Sequence, residues 1–109
     1  MPLENSVIIQ AHPFRDGNIP ADKALVDGYE TLNFVPDKNN RNSVCAEYVK
    51  EKNIEICTCG SDFHHDKPYY PAPVLMLSKK LPNDSFELAK IIKENDNIFL
   101  LGDNHIIIP

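Results

Sequence analysis

The chain has 109 residues, of which 42% are apolar and 25% are charged, and its formal net charge at pH 7 is -5. This length fits one small domain, so residues 1–109 are treated as a single unit with the composition of an ordinary globular protein. The acidic balance argues against a protein that grips nucleic acid along its backbone, because phosphate binding requires a surplus of Lys and Arg.

The sequence also bears on compartment and redox state. No apolar run is long enough to span a bilayer, and the first residues lack a basic stretch followed by an apolar one, so we predict a cytoplasmic protein without a membrane segment. The three cysteines, Cys45, Cys57 and Cys59, are an odd number and include two that are two positions apart. This is a poor disulfide framework, so we expect reduced thiols.

The first part of the chain alternates strands and loops around one helix. A short β-branched run predicts a strand at residues 7–11, and two further strands are predicted at residues 29–34, led in by Asp27-Gly28, and at residues 54–58. Residues 43–52 predict a helix, with Asn40 or Asn42 as its cap. Apolar side chains at helical spacing in it are Val44, Cys45, Tyr48 and Val49. The order of elements favours an α/β fold with parallel pairing.

The last part of the chain predicts a strand, a helix and a hairpin. Residues 74–77 form the strand, and Asp84 and Glu87 form a capping box that opens a helix ending near residue 94. The apolar side chains assigned to the buried face of this helix are Leu88, Ile91 and Ile92. Residues 98–101 and 106–108, joined by a turn at residues 102–104, predict the hairpin.

One segment that follows the third predicted strand carries candidate chemistry: Thr58-Cys59-Gly60-Ser61-Asp62-Phe63-His64. Active sites of parallel α/β folds gather at the carboxyl ends of strands. In an extended segment Asp62 and His64 project to the same side, and a carboxylate beside an imidazole suits a divalent transition metal. Gly60 would let the chain turn as it leaves the strand. His12 ends the first strand, so parallel pairing would bring its imidazole to the same place.

Three segments together resemble the PHP (polymerase and histidinol phosphatase) family of metal-dependent phosphoesterases. They are Ala11-His12-Pro13-Phe14-Arg15, Asp27-Gly28-Tyr29-Glu30-Thr31-Leu32-Asn33 and Gly60-Ser61-Asp62-Phe63-His64. Their order and approximate spacing are similar to those of the C-terminal part of a PHP domain. The resemblance implies a partial distorted (β/α) barrel with about four or five strands, two or three helices and a C-terminal hairpin.

The resemblance also implies a site. His12, Asp62 and His64 would ligate divalent ions (Zn, Mn or Fe), with Asp62 and His64 as catalytic residues and a metal-activated hydroxide attacking a phosphoester. Arg15 is a candidate for binding the phosphate of a phosphorylated small molecule, or alternatively a surface ion-pair partner. Glu30 and Asn33 would organise the surrounding loops.

The chain also departs from the family pattern. It contains no His-x-His motif, so the resemblance implies a site that is incomplete here and an N-terminal half supplied by a partner chain or absent. The alternative is a non-catalytic metal-binding half-domain that acts through a partner or as an oligomer. Because a divided barrel exposes an edge, we expect the chain to self-associate or the C-terminal hairpin to cover that edge.

Other side chains allow simpler assignments. Cys57 and Cys59 on one strand face suggest a structural zinc site with His64 and His65, although one intervening residue is fewer than such sites usually have. Small buried thiols that pack like alanine are the competing explanation. His12 has the alternative of a ring hydrogen bond to a nearby carbonyl, and His105 that of a hairpin residue.

Overall fold

The computed structural model describes residues 5–35, 38–64, 74–101 and 105–107 of the chain. Along these ranges run β1 (Ile9–Gln10), β2 (Gly28–Asn33), α1 (Asn42–Glu51), β3 (Ile56–Gly60), β4 (Val74–Ser78), α2 (Ser85–Glu94), β5 (Asn97–Leu101) and β6 (His105–Ile107). A short 3-10 turn, Arg15–Gly17, follows β1. The predicted α/β class is confirmed, and these strands form two sheets of three. Their closure into a barrel of the PHP type stays a prediction.

The first sheet is parallel and has the order β1-β2-β3. Its register aligns Ile9 with Gly28 and Gly28 with Ile56, and a bulge at Thr31 interrupts the pairing of β2 with β3. The predicted parallel pairing is therefore confirmed, although β1 is only two residues long. All three strands point their carboxyl ends to one edge of the sheet, where the loops after β1 and β3 meet.

The core lies between the parallel sheet, α1 and β5. Its buried members are Tyr29, Cys45, Val49, Cys57 and Phe99. Tyr29 is fully buried, its ring packs edge-on against Tyr48 at 5.6 Å, and its hydroxyl donates to the Ala21 carbonyl. Tyr48 packs against the core as expected, whereas Val44 is 45% exposed.

The start of α1 differs from the prediction. Its N-cap position is Arg41, in a left-handed conformation (φ 53°), and no side chain caps the helix there. The Asn42 amide is used elsewhere: its Oδ1 accepts from the Asn33 backbone N–H at 3.1 Å, and its Nδ2 donates to the Asn33 carbonyl at 3.0 Å. Asn42 thus pairs with the backbone at the end of β2, like a strand neighbour, and cannot also cap the helix.

The helix α2 begins where the sequence predicts, and its packed face agrees with the prediction except at Leu88. Asp84 accepts a hydrogen bond from the Glu87 backbone N–H at 2.8 Å, which is the first half of a capping box; the Glu87 carboxylate accepts from the Asn83 N–H at 2.7 Å rather than from that of Asp84. Ala89 is the buried residue of the helix, and the predicted Ile91 and Ile92 are both half-buried. Leu88 is 45% exposed, so it does not belong to the packed face.

The second sheet is antiparallel, with the order β4-β5-β6. One face directs Met76, Phe99 and Ile107 at the core. The opposite face, which we call the aliphatic face, consists of Leu75, Leu77, Ile98, Leu100 and Ile106, as the register requires. Ile106 is 66% exposed on it. The predicted hairpin pairing is confirmed, while its turn at residues 102–104 and residue 108 lie outside the described residues.

None of the helices in the described ranges has the length and apolar character needed to cross a membrane.

Candidate functional site

The structure brings the predicted site residues together at the carboxyl edge of the parallel sheet. His12 follows β1, and Asp62 and His64 follow β3. The His12 Nε2 atom lies 4.0 Å from Asp62 Oδ2, and His64 Nδ1 lies 3.5 Å from Asp62 Oδ1. The expectation that two separate strand ends contribute to one cluster is therefore confirmed, with the Asp62 carboxylate at its centre.

Arg15 makes the shortest contact in this cluster. Its Nη2 donates to Asp62 Oδ2 at 2.5 Å, and its Nε donates to Asn40 Oδ1 at 2.8 Å. The side chains of Arg15 and Asp62 are only 15% and 19% exposed. Arg15 is thus an ion-pair partner, as one of the two assignments from sequence proposed, but a largely enclosed one rather than a surface one.

The ion pair fixes the charge of Asp62. The hydrogen bond from Arg15 lowers the pKa of Asp62 below its usual value, burial opposes this effect, and the charges of Arg15, His64 and His12 add to the lowering. Asp62 is therefore an ionised carboxylate near neutral pH. An ionised carboxylate is the form that binds a cation.

The backbone at Asp62 is not extended. Its φ is 56°, in the left-handed region that residues other than glycine rarely adopt. The prediction that alternation along a strand places Asp62 and His64 on one side is therefore wrong in its reason. The two stay close because the chain turns at Asp62, and His64 Nδ1 then lies 2.7 Å from the Asp62 carbonyl oxygen. The His64 side chain is 65% exposed.

His12 also has a left-handed backbone, with φ 30°. Its backbone N–H donates to Glu30 Oε1 at 2.9 Å, which fixes the loop after β1 to β2. The ring atom Nδ1 is buried and has no hydrogen-bond partner within the described part of the chain. The alternative of a ring hydrogen bond to a neighbouring carbonyl is therefore not what the structure shows.

Glu30 and Asn33 have the organising role that was expected of them. Glu30 Oε1 accepts from Asn33 Nδ2 at 2.8 Å in addition to the His12 amide. A Cβ added at Gly60 would lie 2.6 Å from Glu30 Oε2. Gly60 ends β3 in register with Asn33. Its small size thus admits the Glu30 carboxylate, and it is not the sharp turn that the sequence suggested.

Asn40 is a site residue whose role the sequence did not reveal. It is 8% exposed, its Oδ1 accepts from Arg15, and its Nδ2 donates to the Asn33 carbonyl at 3.0 Å. The sequence marked Asn40 only as a helix-cap candidate. No spacing signal distinguishes an asparagine that supports a distant arginine from one that caps a helix.

The predicted metal ligands His12, Asp62 and His64 lie near one another, but their side chains do not surround a common point. Across the described ranges, no group of three or more His, Cys, Asp or Glu side chains is arranged to hold a metal ion. Arg15 occupies one oxygen of Asp62. His65, the adjoining histidine, lies outside the described residues.

The cysteines are packed as thiols. All three are free of disulfide bonds. Burial raises the pKa of Cys45 and of Cys59 to about 12 and also raises the pKa of Cys57. These shifts describe the metal-free protein, in which the thiols are protonated, so a zinc site that includes Cys57 and Cys59 stays a prediction. Core packing is the explanation that this geometry supports.

Comparison with known proteins gives no relative on which to rest a role for these residues. No family model matches the chain, and neither a curated protein nor a solved structure is significantly similar to it. The likeness to the PHP family therefore rests on the three sequence segments and remains a prediction.

Proposed function

We propose that this chain carries part of a PHP-type, metal-dependent phosphoesterase site, formed by His12, Asp62 and His64 with Arg15 beside them. The observation that supports the proposal is their convergence: residues from the ends of β1 and β3 meet around one ionised carboxylate. The clustering follows from parallel strands that end at the same edge, which is where α/β enzymes place their active sites.

The donor types, one carboxylate and two imidazoles, are those that divalent ions such as Zn, Mn or Fe prefer, although the side chains are not arranged around a common point in the described part of the chain. The Asp62 carboxylate lies near both imidazoles, and its ion pair with Arg15 supports the expectation that it attracts positive charge. A bound divalent ion would supply activation of water and neutralisation of phosphoryl oxygens. Asp62 would hold this ion together with His12 and His64, and Arg15 would orient a phosphate with its forked donors.

Three ligands within one chain are fewer than the family pattern requires. Turnover is therefore expected where further ligands complete the site, from a partner chain or from a second copy. The second candidate is a metal-binding half-domain without turnover, and the Arg15–Asp62 ion pair favours it because that pair already neutralises the central carboxylate.

The two candidates differ in metal binding and turnover. Mn²⁺ binding to the purified chain is measured by calorimetry, and hydrolysis of p-nitrophenyl phosphate is measured with Mn²⁺ present. Asp62→Asn and His64→Ala should abolish both, whereas Asp96→Asn, at an exposed pair with Lys79, and His105→Ala, in β6, should abolish neither. Mn²⁺ binding without hydrolysis of p-nitrophenyl phosphate would support the second candidate, the metal-binding half-domain. Mn²⁺ binding unaffected by Asp62→Asn would refute the site itself.

A further inference from the structure

Arg15 and His12 both lie near one oxygen atom of Asp62, Oδ2. Asp62 Oδ2 accepts from Arg15 Nη2 at 2.5 Å, and His12 Nε2 lies 4.0 Å from the same oxygen. A cation shared by Asp62 and His12 would approach this oxygen, where the guanidinium now lies. Arg15 and such a cation cannot both have Asp62 Oδ2 as their close partner.

We propose that Arg15 is the resident counter-cation of Asp62 and that a divalent ion enters this site by displacing the guanidinium from the carboxylate. This inference rests on the metal site proposed above and concerns how that site is controlled. In the metal-free protein, the Arg15–Asp62 pair neutralises and encloses the carboxylate. Metal affinity is then the intrinsic affinity reduced by the cost of breaking that pair.

Two contacts that do not involve Asp62 also hold Arg15 in place. Its backbone N–H donates to the His12 carbonyl at 3.1 Å, at the start of the turn Arg15–Gly17. Its Nε donates to Asn40, which is itself fixed to the Asn33 carbonyl. The backbone of Arg15 therefore stays beside the site when the guanidinium leaves Asp62.

The displacement also reconciles two roles of Arg15. While Arg15 is paired with Asp62, its positive charge is neutralised and two of its five N–H donors are used, so its attraction for a phosphate is reduced. A guanidinium released from Asp62 keeps its planar donor fork and needs an anionic acceptor, which a phosphate oxygen provides. Metal entry would thus convert Arg15 from a counter-ion into a phosphate-binding group.

The test compares Mn²⁺ affinity, measured by calorimetry, in the wild type and in variants whose folding is verified by circular dichroism. Arg15→Gln removes the competing charge and should bind Mn²⁺ at least about tenfold more tightly, since a charge-assisted hydrogen bond contributes enough for such a change. Arg15→Lys keeps the charge without the fork and should lie between the two. Arg41→Gln, at the exposed other arginine, is the matched control and should behave as the wild type.

A second readout follows Arg15 directly. In the ¹H–¹⁵N spectrum, the Arg15 Nε–H signal should shift when the diamagnetic ion Zn²⁺ is added, and the Arg41 signal should not. An unshifted Arg15 signal under saturating Zn²⁺ contradicts displacement.

The outcomes separate this inference from the proposed function. If Asp62→Asn abolishes Mn²⁺ binding while Arg15→Gln leaves it unchanged or weaker, the metal site stands and the competition is refuted. If the Arg15→Gln variant binds Mn²⁺ and the wild type does not, the result supports competition between Arg15 and the metal ion for Asp62, with Arg15 excluding the ion from the wild type. If neither binds Mn²⁺, both the metal site and the competition are refuted.

Discussion

The contact between Gly60 and Glu30 leads to a quantitative prediction for Gly60→Ala. The new Cβ would lie 2.6 Å from Glu30 Oε2, which is 0.8 Å closer than the 3.4 Å at which ordinary contact begins. The carboxylate must move as a rigid group, so Oε1 moves with it and its bonds to the His12 amide and to Asn33, now 2.9 and 2.8 Å long, are stretched. Each bond contributes about 1 kcal/mol, so their loss costs about 2 kcal/mol.

The same change should be nearly harmless when Glu30 is absent. The φ of Gly60 lies outside the left-handed region, so alanine is compatible with the backbone there and gains about 0.4–1 kcal/mol from the unfolded state. In the wild type this gain offsets part of the loss, for a net destabilisation of about 1–2 kcal/mol. In the Glu30→Ala background, Gly60→Ala should be neutral or slightly stabilising. The coupling energy between the two positions is then about 2 kcal/mol.

The assay is urea denaturation of the wild type, both single variants and the double variant, followed by circular dichroism with comparison of m-values. Gly17→Ala is the matched control. Gly17 has φ 86° and no atom within 4 Å of an added Cβ, so its cost comes from backbone strain and should add to that of Glu30→Ala. A coupling below about 0.5 kcal/mol between Gly60 and Glu30 would refute the close-contact explanation.

Single replacements elsewhere should have more local effects. Asp84→Ala removes the hydrogen bond from the Glu87 amide and should lower the free energy of unfolding by about 1 kcal/mol in urea titrations; an unchanged midpoint would show that the cap contributes nothing. Because the pKa of Asp62 is lowered in the folded state, its stabilisation is present above the unfolded-state pKa of about 3.9 and is lost as pH falls through the folded-state pKa. The stability gap between the wild type and Asp62→Asn should therefore be constant near pH 7 and narrow as acid protonates Asp62, and a gap that widens as the pH falls contradicts this. Since burial raises the pKa of Cys45 to about 12, iodoacetamide at pH 8 should alkylate it only as the chain unfolds; mass spectrometry showing rapid alkylation of the folded chain would disagree. If the chain self-associates, Leu75→Ser on the aliphatic face should lower the dimer fraction in sedimentation experiments, and a wild type that stays monomeric at all concentrations excludes that association.

The positions of the site residues along the chain were predictable because they depend on backbone periodicity. Short strand-like segments marked β1, β2 and β3, and parallel pairing requires the segments after β1 and β3 to leave the sheet at the same edge. The approach of His12 to Asp62 follows from this topology, even though the two residues are 50 positions apart in sequence. The capping box of α2 was predictable for a similar reason, since it is a local pattern with a defined hydrogen bond.

The contacts of individual side chains were less predictable where the sequence allowed two equally suitable hydrogen-bond partners or two equally suitable buried residues. The Asn42 amide can cap a helix or pair with a strand backbone, and the structure uses the second option with Asn33. The helix α2 can bury Leu88 or Ala89, and the structure buries Ala89. Each choice depends on a neighbour brought near by the tertiary fold, which no sequence window contains.

The left-handed backbone at two site residues links the strand topology to the side-chain contacts of the site. His12 and Asp62 both have left-handed φ values, which cost non-glycine residues about 1–2 kcal/mol each and persist only where other contacts hold them. At His12 that contact is the bond to Glu30, and at Asp62 it is the ion pair with Arg15. A relaxed, extended Asp62 would direct its carboxylate elsewhere. The strain therefore aims the carboxylate at Arg15 and His12, and any cation that replaces Arg15 must hold the same strained turn.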